Sequence, residues 1–135
     1  MSSRTIYLAR LLGFYSIAVG FAMLWHEQAM VDLVTAMAAS GPLLFVTGLV
    51  AVTVGLAMVL GHNVWRGGAL PAVVTVIGWW SLFKGLGLLF VPQATIAAWI
   101  GGGRYAEMFH VSVVVTLALG LYLVWGSWGA AGTEV

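Results

Sequence analysis

The chain has 135 residues, 62% of them apolar or aromatic and 7% charged, with a formal net charge of +1, no Cys and a mean hydropathy of +1.07. A water-soluble domain carries about a quarter of its residues as charges, so this composition excludes one, and it equally excludes a disordered chain, a disulfide-stapled module and a nucleic-acid binder. An integral membrane protein remains, with the lipid bilayer as its first partner and with thiolate chemistry and Cys-ligated metals ruled out.

About 20 apolar residues cross roughly 30 Å of hydrocarbon as a helix, and four segments of this length occur along a single membrane domain, 1–135. The first runs from about Ile6 to Trp25, with Arg10 near one end, where its stem can snorkel to the headgroups. No small-residue cleavage site precedes Trp25-His26-Glu27-Gln28, so this stretch reads as a retained span. The second runs from Gly41 to Leu60, opened by Pro42 and closed by Gly61. The third runs from about Ala69 to Val91, ended by Pro92 and interrupted in polarity only by Lys84. The fourth runs from about Arg104 to Trp125, with Glu107 and His110 in its first two turns. In His26–Ser40 and Pro92–Gly103 the apolar residues Val31 and Val34, and Ile96, Trp99 and Ile100, recur at helical spacing. These segments fit short helices in the membrane interface, or loops packed on the end of the bundle.

Arg4, Arg10 and Arg66 fall on the side of the two termini and the loop between spans two and three, against Arg104 alone on the other side. The excess places both termini in the cytoplasm. Trp25, Trp65, Trp99, Trp125 and Trp128 lie at the expected interfaces, whereas Trp79 and Trp80 fall near mid-span and should pack inside the protein or against lipid chains.

The chain matches itself at an offset of 65 residues. Leu11-Leu12-Gly13-Phe14-Tyr15-Ser16 aligns with Val76-Ile77-Gly78-Trp79-Trp80-Ser81, and without a gap Gly20 falls on Gly85, Gly55-Leu56 on Gly120-Leu121 and Gly61 on Gly126. Twelve identities fall between Leu11 and Trp65, where about four would arise by chance in so biased a composition. The expected fold is therefore an all-α, four-transmembrane-helix bundle built from two parallel two-helix repeats, about 6–65 and 71–130, related by a pseudo-twofold along the membrane normal. Small residues stripe the spans: Gly13, Ser16 and Gly20; Gly48 and Gly55; Gly78, Ser81 and Gly85; Ser112, Thr116 and Gly120. Such residues let helices approach closely in lipid, inside one bundle or at an oligomer interface.

Lys84 is the sharpest polar feature. It lies about seven residues, or roughly 10 Å, from the end of its span, where an unpaired Lys must snorkel or find an anion. Glu107 and His110 reach similar depth from the same side, so a Lys84–Glu107 pair with His110 close by is expected, as a structural lock or as a transport site. Glu107 and His110 also have the Glu-x-x-His spacing of helix-borne metal ligands. The repeat puts Pro42 and Phe45 at the equivalent positions, so the second motif of a dinuclear site is missing. His26, Glu27 and His110 remain as a candidate mononuclear site, and a haem would need His26 and His110 face to face. His62-Asn63-Val64-Trp65-Arg66 reads as a tight loop on the opposite side, anchored by its Trp and Arg.

No Ser/His/Asp or Cys/His arrangement, phosphate-binding Gly loop or paired carboxylates occur in the spans, so no enzyme and no cofactor are expected. Gly13-Phe14-Tyr15-Ser16 with Gly20, Gly61-His62-Asn63-Val64-Trp65 and Gly78-Trp79-Trp80-Ser81-Leu82-Phe83-Lys84-Gly85 resemble small four-span bacterial inner-membrane proteins, and size and topology are similar to those of the DoxX-like proteins. The resemblance implies a bacterial inner-membrane location and carries over no functional residue. The expected role is assembly, as a homo-oligomer or a small accessory subunit of a membrane complex. The alternative is a small ion or solute transporter or channel using a polar cluster of Lys84, Glu107 and His110 near the outer face.

Overall fold

A computed structural model describes residues 1–132, and over them the chain is helical with short connections. Helix α1 spans Ser3–Trp25, α2 Glu27–Ala39, α3 Gly41–Gly61, α4 Ala69–Phe90, α5 Gln93–Gly101 and α6 Arg104–Ala131. Four of these, α1, α3, α4 and α6, are long and apolar enough to cross a membrane. Their starts and ends follow the sequence expectation closely, except that α6 runs on past Trp125. Along that extension Ser127 returns its hydroxyl to the Val124 carbonyl (2.7 Å), and Leu70 packs beside Gly126.

Local chemistry sets the boundaries. Ser2 accepts from the Thr5 N–H (3.3 Å) and caps α1. Pro42 sits in the first turn of α3, where a missing N–H costs nothing. Pro92 drives Val91 into extended backbone (φ −77°, ψ 133°), which ends α4. Gly68 (φ 120°) and Gly103 (φ 80°) precede α4 and α6 in conformations closed to side chains with a Cβ. The two connecting segments left open between helix and loop are helices, α2 and α5. They touch one another across one end of the molecule, where Gln93 Nε2 donates to the Ala39 carbonyl (2.7 Å).

The long helices pack as two intimate antiparallel pairs, α1 with α6 and α3 with α4, while α1 against α4 is the lesser contact that joins them. Glycines bring each pair together. A Cβ on Gly85 would lie 2.6 Å from the Val52 backbone N, and one on Gly13 would lie 3.0 Å from the Gly120 carbonyl. Gly55 faces Leu82 at still closer range, Gly20 faces Leu117, Gly78 faces Met58, Gly48 faces Leu89 and Gly120 faces Ile17. The small-residue stripes are thus consumed inside the chain, which is the first of the two uses open to them.

Two apolar clusters mark the two ends. At the end of the termini, Ala9, Met58, Leu70, Val74 and Leu123 draw all four long helices together. At the α2–α5 end, Met23, Phe109 and Val113 pack with Met30 and Val31 of α2 against them. The outward faces carry large apolar side chains such as Phe14, Phe21, Trp80, Phe83 and Trp125. That arrangement, apolar outside and small inside, is what a bilayer solvent demands.

Candidate functional site

The expected polar cluster at the α2–α5 end is present only in part. His110 is there, exposed, but its partner is Glu27: His110 Nε2 lies 3.3 Å from Glu27 Oε1. The contact joins the start of α6 to the start of α2, with both side chains more than half exposed. Two exposed groups in high dielectric attract weakly, so the pair is a tether of about 0–1 kcal/mol. Asp32 is engaged within its own helix by Gln28 (3.0 Å).

The Lys84–Glu107 pair expected from the sequence does not form, and this corrects the depth-matching argument. Among the described residues neither side chain has an ion-pair or hydrogen-bond partner, and both are exposed. The reason is angular. Helix α4 turns Gly78, Leu82 and Gly85 toward α3, and at 100° per residue Lys84 then points away from the interior, on the face of Trp80 and Phe83. Equal depth placed the two charges at one level, and helix rotation separated them.

The mononuclear metal reading meets the same obstacle. No group of three His, Cys, Asp or Glu gathers among the described residues, because the Glu27–His110 contact does not recruit His26. His26 is the exposed hinge between α1 and α2.

At the opposite end the sequence reading missed a buried polar knot. His62 does not extend the exposed loop. It is 3% exposed and stops α3, its N–H donating to the Met58 carbonyl. Beside it Thr75, 1% exposed, organises the α3–α4 connection. Its hydroxyl accepts from the Val64 N–H (3.1 Å) and lies within donating reach of the carbonyls of Pro71 (3.0 Å), Val64 (3.0 Å) and His62 (3.4 Å). With its one proton the threonine thereby satisfies the Val64 N–H and one of these three carbonyls within a buried turn. A lone Thr in a valine-rich run carries no periodic signal that would have singled it out. Trp65 and Arg66 are exposed as expected, with Trp65 Nε1 donating to Asn63 Oδ1 (2.7 Å). Of the mid-span tryptophans, Trp79 is half-buried and stacked on Phe83 (5.6 Å), whereas Trp80 faces outward.

The small residues proposed for helix packing divide by partner. Gly13, Gly20, Gly48, Gly55, Gly78, Gly85 and Gly120 all face a neighbouring helix of the same chain. Ser81 crosses to α3, where its hydroxyl donates to the Ala51 carbonyl (3.0 Å), and Ser16 is half-buried on α1. Gly87 in α4 differs, as do Gly61 and Gly129 toward the ends of α3 and α6: a Cβ there meets nothing within 4 Å. An apolar cleft of about 180 Å³ opens between α3 and α4, lined by Gly41, Leu44, Phe45, Leu88, Leu89 and Gln93. It holds no ionisable group.

Comparison with protein-family models, with characterised proteins and with solved structures gave no match.

Proposed function

We propose that the chain is a non-enzymatic membrane protein that works by assembling with other membrane-embedded helices, as a homo-oligomer or as a small accessory subunit of a membrane complex. Its setting in this reading is the bacterial inner membrane, with both termini in the cytoplasm. The observation that carries the reading is Lys84: a cation on the apolar outer surface of a long helix, without a counter-charge among the described residues. Ionisable groups within spans pair with one another or line polar cavities, and the described residues of this chain offer Lys84 neither.

The finer architecture belongs to the same proposal. The four long helices form one bundle of two parallel repeats, 6–65 and 71–130. Support comes from contacts that recur at the offset of the internal match: Gly13 on Val124 and Gly78 on Val59, Gly20 on Leu117 and Gly85 on Val52, Gly120 on Ile17 and Gly55 on Leu82. A parallel pseudo-twofold that exchanges α1 with α4 and α3 with α6 produces such pairs of contacts. The transport alternative has no specific observation in its favour, since Lys84 and Glu107 point apart.

Stepwise photobleaching of singly labelled protein in lipid vesicles, at high lipid-to-protein ratio, tests the assembly reading. More than one bleaching step per particle is expected for a homo-oligomer. A strictly single-step population, together with a single-copy particle of this chain alone by native mass spectrometry of source membranes, overturns it.

A further inference from the structure

We infer that the outward face of α4 around Lys84 docks a second copy of this chain and that Lys84 pairs there with Glu107 of that copy. The inference rests on the assembly reading above and names its interface. It begins with an accounting of charge. The sequence holds four carboxylates, Glu27, Asp32, Glu107 and Glu134. Glu134 lies outside the described residues. Glu27 is held by His110 and Asp32 by Gln28, which leaves Glu107 as the described carboxylate whose side chain has no partner. Lys84 is an exposed charge on a long helix at depth, about six residues or roughly 9 Å from the end of α4. Glu107 lies in the first turn of α6 at the same end of the molecule. Within one copy they do not pair, whereas a neighbouring copy can bring its Glu107 to Lys84.

The shape of the α4 face agrees. Trp80, Phe83, Lys84 and Gly87 lie within about 100° of arc on the side away from α3. Trp80 and Phe83 are 70% and 62% exposed, and Gly87 has open space where its Cβ would be. Every other glycine within the central turns of α1, α3 and α4 is closed by a helix of the same chain. A shallow glycine notch one turn from an unpaired ammonium, flanked by two large rings, admits a helix at close range and places its carboxylate on the ammonium. The matching face on α6 carries Met108, Val111 and Val114 near Glu107, all half or more exposed and all compatible with a dry contact.

The absence of Cys makes the test clean. Phe83→Cys is placed in one copy and Met108→Cys in a differently tagged second copy, and the two are co-expressed and oxidised in the membrane. A cross-linked heterodimer is expected. Lys84→Glu in the first copy should lower the cross-linked fraction at least about tenfold, and Glu107→Lys in the second copy should restore it. Gly87→Leu should lower it without either charge change. Restoration by the reversed pair separates a lost interface from a lost fold. If photobleaching shows an oligomer yet the cross-link is missing or indifferent to Lys84→Glu, this interface is wrong and the assembly reading stands. If the protein bleaches in a single step in vesicles and is a single-copy particle of this chain alone in source membranes, both fall.

Discussion

Glycine at a helix contact and glycine on a helix surface are the same residue with opposite mutational consequences. A Cβ at Gly55 would press into the Leu82 backbone, which no rotamer change can relieve, so Gly55→Ala must push α3 and α4 apart. We expect a loss of about 1–3 kcal/mol from overpacking. Gly87→Ala meets nothing, and its fold stability should be unchanged or higher by up to about 1 kcal/mol, the helix-propensity gain. Unfolding in mixed detergent with SDS, followed by circular dichroism, measures both. Equal effects at the two positions would show that packing distance does not govern stability here. Thr75 makes a second residue-scale case. Thr75→Val keeps shape but leaves the Val64 N–H without its acceptor, at a cost of about 1–3 kcal/mol. Thr75→Ser should recover most of that loss, and a Val variant as stable as the native protein would remove the hydroxyl from the account of this turn.

At the scale of elements, α1 with α6 and α3 with α4 are matched pairs with unequal filling at the α2–α5 end. Phe109 is 1% exposed and closes that end of the α1–α6 pair together with Met23. Its counterpart at the 65-residue offset is the smaller Leu44, beside the cleft of about 180 Å³ between α3 and α4. Phe109→Ala should cost about 2 kcal/mol. That is less than the roughly 3–5 kcal/mol of a water-soluble core, because lipid chains take over the transfer contribution and only packing is lost. Thermal unfolding in detergent checks the size of the effect. The α2–α6 tether behaves differently. Glu27→Gln removes an exposed pair and should change stability by less than about 1 kcal/mol, while hydrogen exchange at the start of α2 rises. A large loss of global stability would mean that the pair is far less solvated than its exposure indicates.

For the molecule as a whole, the closest partner of each long helix lies in the other half of the sequence. Helix α1 meets α6 and α3 meets α4, so the chain folds around the connection at residues 62–68. Cutting there should give two fragments that are unstable singly, since neither α1 nor α4 then has its glycine contact. Co-expressed, fragments 1–66 and 67–135 should purify together with the helical content of the intact protein. Fragments that are each stable and do not associate would contradict this interlocked arrangement. No purely local packing predicts it, because these contacts span up to about 110 residues of sequence.

Composition and run length alone determined the four long apolar helices, since in hydrocarbon a run of some 20 apolar residues has no other way to satisfy its backbone. The glycines at Gly13, Gly20, Gly55, Gly78, Gly85 and Gly120 were legible as contact points for a related reason: the close approach of helices leaves no room for a Cβ. The direction in which each helix turns its side chains was not legible. Apolar residues ring α4 nearly all round, so its sequence has little amphipathic signal to orient it. Depth along the helix could be counted from the sequence, and rotation about its axis could not. For that reason Lys84 and Glu107 were placed at one level and wrongly joined and the burial of His62 was not foreseen, whereas Glu27 and His110, grouped as candidate metal ligands, do meet, without His26. Only the packing of α4 on α3 and of α6 on α1 sets those azimuths, because the surfaces that must come closest decide which side chains are left facing out.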